Sequence, residues 1–261
     1  MINLKHVDDG KGFDFGNVAM DYAKFRDIYP SSFYQMLLKF DIAKSGQSVL
    51  DLGTGSGVIP RNMYKYGANF TGADISENQI EQAKLLSKNM DINYIVCSSD
   101  KTNQPNNTFD VVTACQCFWY FDVSTTIPEI YRILKPSGCF AIISMIGLPK
   151  ESEILAKSEE LVLKYNPSWN GCNFDRVKLA PPNWLGDMFY TETLHTYVED
   201  LEFSRETWCG RMRACRGVGA SLPSDLVAEY DTEHNDVLKR IVGDTFKIPH
   251  QIILQVYRKK T

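Results

Sequence analysis

Seven cysteines are spread over the 261 residues, yet no CxxC pair occurs among them. An odd count without paired spacing excludes a disulfide scaffold and implies reduced thiols. Cys115 and Cys117 form a CxC, but no second pair and no neighbouring histidine completes a tetrahedral zinc site, so no metal is expected. Basic charge is also short: 28 Lys and Arg stand against 32 Asp and Glu, a net charge of −4. Such a chain lacks the electrostatic footprint of a nucleic-acid binder. The longest apolar run, Phe140 to Leu148, falls far below the ~20 residues of a membrane span, and Met1 to Asp9 holds no signal-peptide core. The expectation is a cytoplasmic protein with neither membrane nor nucleic acid as partner, its oligomeric state left open. No internal repeat or low-complexity tract divides the chain, and 44% hydrophobic with 23% charged residues is ordinary for a globular fold. At ~150 residues per domain the length suits one α/β domain with an insertion.

From residue 48 onward short apolar runs alternate with helical patterns, the mark of a parallel sheet. Ser48–Asp51, Asn69–Asp74, Ile92–Cys97, Phe109–Ala114 and Cys139–Met145 read as five strands. Ser76 with Gln79 forms a capping box for a helix whose Ile80, Ala83, Leu86 and Met90 share one apolar face. A helix over Ser124–Leu134 is expected to stop at Lys135-Pro136-Ser137-Gly138. Further on the sequence predicts a helix over Glu151–Lys164, a loop-rich insertion over Asn166–Leu185 and a strand over Leu194–Phe203. Helices over Arg205–Arg216 and Ser224–Val242 and a closing strand over His250–Arg258 follow. The first forty residues, with Phe13, Phe15, Tyr22, Phe25, Tyr29, Phe33 and Tyr34, are too aromatic for a floppy tail and read as a helical lead-in.

The most informative stretch is Asp51-Leu52-Gly53-Thr54-Gly55-Ser56-Gly57, where the first strand turns into a helix. Glycines there permit positive φ and let backbone approach a ligand. Asp74 ends the second strand 23 positions after Asp51, near the ~20-residue offset at which a carboxylate meets ribose hydroxyls. A dinucleotide fingerprint wants a third glycine where the chain has Val58, and Asp51 at the strand tip would repel a pyrophosphate. No Lys or Arg follows Asp74 to take a 2′-phosphate. A phosphate-free, zwitterionic nucleoside fits better, and S-adenosyl-L-methionine is one.

Four segments then resemble, in order and spacing, the motif series of class I S-adenosylmethionine-dependent methyltransferases of the small-molecule, type 11 branch. They are the Asp51–Gly57 turn, Thr71-Gly72-Ala73-Asp74-Ile75-Ser76, Pro105-Asn106-Asn107-Thr108-Phe109-Asp110-Val111-Val112 and Arg132-Ile133-Leu134-Lys135-Pro136-Ser137-Gly138. The tail, through Thr207-Trp208-Cys209-Gly210-Arg211-Met212-Arg213 and Ile248-Pro249-His250, is similar to a bacterial subgroup of that family. The resemblance implies that Gly53, Thr54, Gly55 and Gly57 cradle the methionine end, Asp51 faces its ammonium directly or through water, Asp74 holds the ribose and Ile75 packs on the adenine. Where relatives read the adenine with Asp-Ala, this chain has Ser98 and Ser99, so the Ser99 N–H and Asp100 are the expected substitutes. Gln116 falls at the sheet's carboxyl edge, and Tyr22 and Arg26 match a Tyr-x-x-x-Arg pattern that lies over the cofactor in relatives.

A sulfonium is an activated methyl donor, so catalysis needs mainly alignment, and a general base is optional. The subgroup's histidine after the fourth strand is replaced by Trp119 in Phe118-Trp119-Tyr120-Phe121-Asp122. Trp119 and Tyr120 then read either as walls of an acceptor pocket or as core packing, with Tyr120 and His195 the weak catalytic candidates. His250 reads more readily as a structural residue. Arg211 is a candidate for an acidic acceptor, although three arginines at 211, 213 and 216 more often mark a solvated face. Asn166–Leu185, with Trp169 and Trp184, reads as a substrate lid or a small packed insertion.

The expected fold is α/β: a Rossmann-like, doubly wound, seven-stranded, mainly parallel sheet with an antiparallel last strand and a helical cap. Residues 1–45 form the helical lead-in or lid, 46–146 the S-adenosylmethionine-binding core, 147–192 the inserted cap and 193–261 the part that completes the sheet. The expected activity is methyl transfer to a small molecule. An NAD-dependent oxidoreductase and a non-catalytic nucleoside-binding module are the alternatives.

Overall fold

A computed structural model describes residues 1–260. Its seven strands are β1 (Ser48–Leu52), β2 (Asn69–Asp74), β3 (Asn93–Val96), β4 (Phe109–Cys115), β5 (Leu134–Gly147), β6 (Phe189–Ser204) and β7 (Thr245–Lys259). They form one sheet in the order β3-β2-β1-β4-β5-β7-β6. β1 to β5 pair in parallel, and the last strands run antiparallel. The helices are α1 (Ala19–Phe25), α2 (Ser31–Lys39), α3 (Val58–Met63), α4 (Glu77–Leu86), α5 (Val123–Ile133), α6 (Glu153–Tyr165), α7 (Arg205–Arg213) and α8 (Ser224–Ile241). The predicted Rossmann-like sheet is therefore what the chain builds. No helix among the described residues is long and apolar enough to cross a membrane.

The chain divides into two compact units that are not sequential blocks. One comprises Tyr29–Met145, Lys178–Tyr197 and the stretch from Ile252 onward. Its core joins Leu50 and Leu52 of β1, Val112 and Ala114 of β4, and Phe140 and Ile142 of β5 to Ile127, Ile130 and Ile133 of α5. Those α5 positions recur at helical spacing, and Asp122 caps the helix by accepting the Ser124 N–H at 2.9 Å. Ser76 caps α4 by accepting the Gln79 N–H. Lys135-Pro136-Ser137-Gly138 differs from expectation, lying inside β5 instead of in a loop before it. The register jumps from Phe109↔Leu134 to Val111↔Cys139, so extra residues bulge opposite Asp110, where Lys135 Nζ binds Asp110 Oδ2 at 2.8 Å.

The other unit comprises Met1–Ile28, Ile146–Val177 and Val198–Gln251. Residues 1–45 are thus split between the units. Phe25 packs so closely on α7 that a Cβ on Gly210 would come within 2.4 Å of its ring. Tyr29 and Phe33 instead stack on each other at 4.3 Å within the first unit. Buried Trp208 and His234 both meet Ser158 of α6: the indole N–H donates to Ser158 Oγ at 3.0 Å, and His234 Nε2 lies 2.9 Å from it. Burial pushes His234 down to about 4 and His250 to about 3, so both imidazoles are neutral at pH 7. The two tryptophans expected in a lid sit in packed surroundings. Trp169 is buried against Gly217, and Trp184 lies among Phe118, Phe140, Phe189 and Tyr257 in the sheet unit.

Candidate cofactor site

β1 and β4 are neighbours at the middle of the sheet, with β2 and β3 on one side and β5, β7 and β6 on the other. Strand order reverses between them, and an open α/β sheet leaves its binding crevice at the carboxyl ends of such a pair. Both strands end in backbone that has been forced into shape.

After β1, Gly53, Gly55 and Gly57 take φ of +64°, +55° and +75°, which bends the chain into α3 at little cost for glycine. The turn is packed from beneath. A Cβ on Gly57 would stand 2.3 Å from the Tyr94 hydroxyl, and one on Gly53 would stand 2.7 Å from Cys117 Sγ. Tyr94 is anchored through a 2.9 Å hydrogen bond between its hydroxyl and that of Ser87. Cys117 donates to the Leu52 carbonyl at 3.1 Å, and burial holds its thiol well above the usual range, so it is protonated at neutral pH.

Asp51 is only 1% exposed. Its Oδ1 accepts the Thr113 hydroxyl at 2.6 Å and its Oδ2 the Thr54 hydroxyl at 2.7 Å. Burial outweighs both bonds and raises the carboxyl to about 6. Asp51 thereby braces β1 against β4 and against the turn, and its expected role toward an ammonium group, directly or through water, stays a proposal. Asp74, half-buried at the end of β2, accepts the Gly55 N–H on Oδ2 and the Ser76 N–H on Oδ1, each at 2.9 Å. Burial raises its pKa too, against the backbone donors. Each oxygen keeps a further lone pair for a ligand hydroxyl.

Ile75 beyond Asp74 is 59% exposed, an apolar side chain at the sheet's carboxyl edge. Cys97 N–H donates to the Asp74 carbonyl at 3.0 Å, so the loop after β3 runs beside the acid. In that loop Ser98 is half-buried, Ser99 Oγ lies 3.0 Å from Thr126 Oγ1, and Asp100 is exposed.

One residue past β4, Gln116 takes φ +60°, which costs a side-chain-bearing residue roughly 1–2 kcal/mol. Its N–H donates to the Ile143 carbonyl at 2.9 Å and its Nε2 to the Met145 carbonyl at 2.5 Å. Its Oε1 is buried without a hydrogen-bond partner. Trp119, 42% exposed, and half-buried Tyr120 follow on a single helical turn, their rings 5.6 Å apart.

The remaining expected residues are His195, Tyr22, Arg26 and Arg211. His195 sits on β6, three strands from β4 and so roughly 14 Å across the sheet. Its ring packs 4.9 Å from Phe40. Tyr22, Arg26 and Arg211 belong to the other unit, where the Arg26 guanidinium lies 5.4 Å over the Tyr22 ring and that of Arg211 5.0 Å over Trp208. The arginine face expected to be solvated is turned onto carboxylates: Arg213 pairs with Asp21 and Asp231 at 3.0 and 2.7 Å, and Arg216 with Asp8 at 2.9 Å. Sequence reasoning missed Thr113, Tyr94 and Cys117. A hydroxyl inside the apolar run Phe109–Ala114 was the signal for the first.

Residues 50–142 match the family described as a methyltransferase domain. Over that stretch the chain is similar to class I methyltransferases. Over 135 residues it is 34% identical to a ubiquinone/menaquinone biosynthesis C-methyltransferase from Desulfotalea psychrophila, a match covering 48% of this chain and 53% of that protein. Over 158 residues it is 26% identical to a ubiquinone biosynthesis O-methyltransferase from Bartonella bacilliformis, covering 59% of this chain and 62% of that one. The chain thus spans between about half and three fifths of the length of these curated relatives. A solved structure from Anaeromyxobacter dehalogenans, described as a type II methyltransferase, superposes with a TM-score of 0.60 at 18% identity, covering 88% of this chain and 96% of that one. That likeness speaks for the fold.

Proposed function

We propose that this chain is an enzyme that moves a methyl group from S-adenosyl-L-methionine to a small-molecule acceptor. The observation that carries this reading is the Gly53–Gly57 turn held between buried Asp51 and half-buried Asp74 at the carboxyl ends of neighbouring strands. The residues present fit such a cofactor. The glycine turn offers close backbone for the methionine end, Asp74 retains lone pairs for ribose hydroxyls, Ile75 offers apolar surface for the adenine, and the Ser99 N–H and Asp100, in the loop beside Asp74, would read the adenine edge. A diphosphate fits poorly, because it would meet two carboxylates and the buried Val58 where a dinucleotide site needs glycine. This disfavours NAD.

When bound, the cofactor supplies a methyl group already activated on a sulfonium. The chain's own work is to bind, orient and exclude water. Trp119 and Tyr120, just past β4, are placed to wall an acceptor, while Tyr22, Arg26 and Arg211 remain candidates of the second unit. The relatives described above are named for quinone biosynthesis, which supports a small-molecule acceptor. Isothermal calorimetry with S-adenosylhomocysteine tests the reading. The wild type should bind and Asp74→Ala should bind about ten- to hundredfold more weakly, the loss of charge-assisted hydrogen bonds. Equal binding by both, no binding at all, or tighter binding of NAD would overturn it.

A further inference from the structure

We propose that residues 172–177 form a strap, shut in this structure, that swings open to admit small molecules to the Glu159 carboxyl of α6. Residues 166–182 form neither helix nor strand, a length of irregular chain that compact domains keep mostly for lids and binding loops. Upstream the chain is fixed. Trp169 is buried, the Asn166 amide donates to the Gly217 carbonyl at 3.0 Å, and Arg216 donates to Asn170 Oδ1 at 2.7 Å. Downstream, Trp184 is fixed among the aromatic rings of the sheet unit. Between these anchors residues 173–177 are all exposed, Phe174 and Val177 by 41% each, so little apolar burial holds the segment down.

The fastenings are polar instead. Arg176 donates to both Glu151 oxygens at 2.6 and 2.7 Å, and Lys150 pairs with Asp175. Both ion pairs are exposed and therefore hold weakly. The Gln251 amide accepts the Val177 N–H at 2.7 Å and donates to the Val177 carbonyl at 3.0 Å. Beneath the strap Glu159 is only 5% exposed, and its Oε2 accepts the Asn173 N–H at 2.8 Å. Asn173 presents that N–H from left-handed backbone, φ +58°, a strain that opening would relieve. Burial pushes the carboxyl up to about 7, although the Asn173 N–H and Arg211 of α7 pull it down, so the cover is dry. A carboxylate accepts several donors, and here the strap's own backbone stands where one from a small molecule would bind.

Carboxyl footprinting tests the strap. The whole chain is treated with a carbodiimide and glycine ethyl ester at pH 6, and amidation is read by mass spectrometry at Glu159, at fully buried Asp8 of the same unit and at exposed Glu153. Wild-type Glu159 should react faster than Asp8 and more slowly than Glu153. Arg176→Gln and Gln251→Ala each remove a fastening and touch none of the three carboxyls. Each should raise the rate at Glu159 about three- to tenfold and leave Asp8 and Glu153 unchanged. An equal rise at Asp8 would mean that the unit unfolds as a whole, and would overturn the proposal. No rise at Glu159, or wild-type Glu159 reacting as fast as Glu153, would overturn it as well. The measurement uses no cofactor, so its failure leaves the methyl-transfer reading untouched.

Discussion

Asp51 is a carboxylate with almost no water around it, kept by two hydroxyls that only partly replace that water. Its folded pKa is about 6 against 3.8 for the free group. Between those values the folded chain holds a proton that the unfolded chain has released, so this group makes stability fall as pH rises through that window. The full drop is roughly 3 kcal/mol, from ~1.4 kcal/mol per pKa unit. Asp51→Asn cannot ionise and lacks the drop. Urea unfolding at pH 4 and pH 7 should therefore show the variant gaining roughly 2.4 kcal/mol relative to wild type between the two pH values, since at pH 4 part of the drop has already occurred. An unchanged difference would mean that Asp51 is solvated in the folded protein. The presence of an acid before the glycine turn was legible from sequence. The direction of its oxygens was not, because Thr113 lies 62 residues away.

At the scale of elements, the parallel core strands were readable because each is a short apolar run bounded by turn residues. The bulge in β5 was not readable, since Pro136-Ser137-Gly138 has the composition of a stop, and only pairing with β4 shows the strand continuing through it. The segment after α7 was likewise misread as a solvated arginine face. Arg216 is 8% exposed and its partner Asp8 is fully buried, tying the first residues of the chain to those after α7. Asp8 also accepts the Asn170 N–H at 2.9 Å. Arg216→Met should strand that carboxylate and cost about 3–5 kcal/mol in a denaturation experiment. Asp8→Asn in the same chain should recover most of the loss, because the charge is gone and an acceptor for Asn170 remains. A single variant as stable as wild type would show that the pair is not buried in solution.

For the whole molecule, buried titratable groups oppose one another in a way that shapes acid stability. His234 and His250, held by burial at about 4 and about 3, favour the folded state as pH rises toward 6.5, where the unfolded imidazoles lose their protons. Asp51, at about 6, and buried Glu159, pushed by desolvation up to about 7, have the opposite sign over roughly pH 4 to 7. The two pairs largely offset near pH 5, so the melting temperature should change little there. Below about pH 4 the raised carboxyls no longer differ between states. The imidazoles still do, and so do Asp110 and Glu129, which lose some solvation but gain more from Lys135 and from Arg132 with Thr102. Melting temperature recorded from pH 3 to 7 should show a plateau and then a steep acid fall. A fall beginning at pH 6 would mean that Asp51 and Glu159 are not raised.

The amino-acid sequence alone settled the parallel α/β core, the glycine turn after β1 and the acid at the end of β2. Those features are local: strand runs, turn residues and a fixed offset between two neighbouring strands. Tertiary structure decided which groups face the site. It bound both Asp51 oxygens to hydroxyls within the fold, set His195 three strands from β4 and turned Arg213 and Arg216 onto carboxylates. The physical reason is that orientation and protonation depend on partners distant along the chain, which no local pattern of residues encodes.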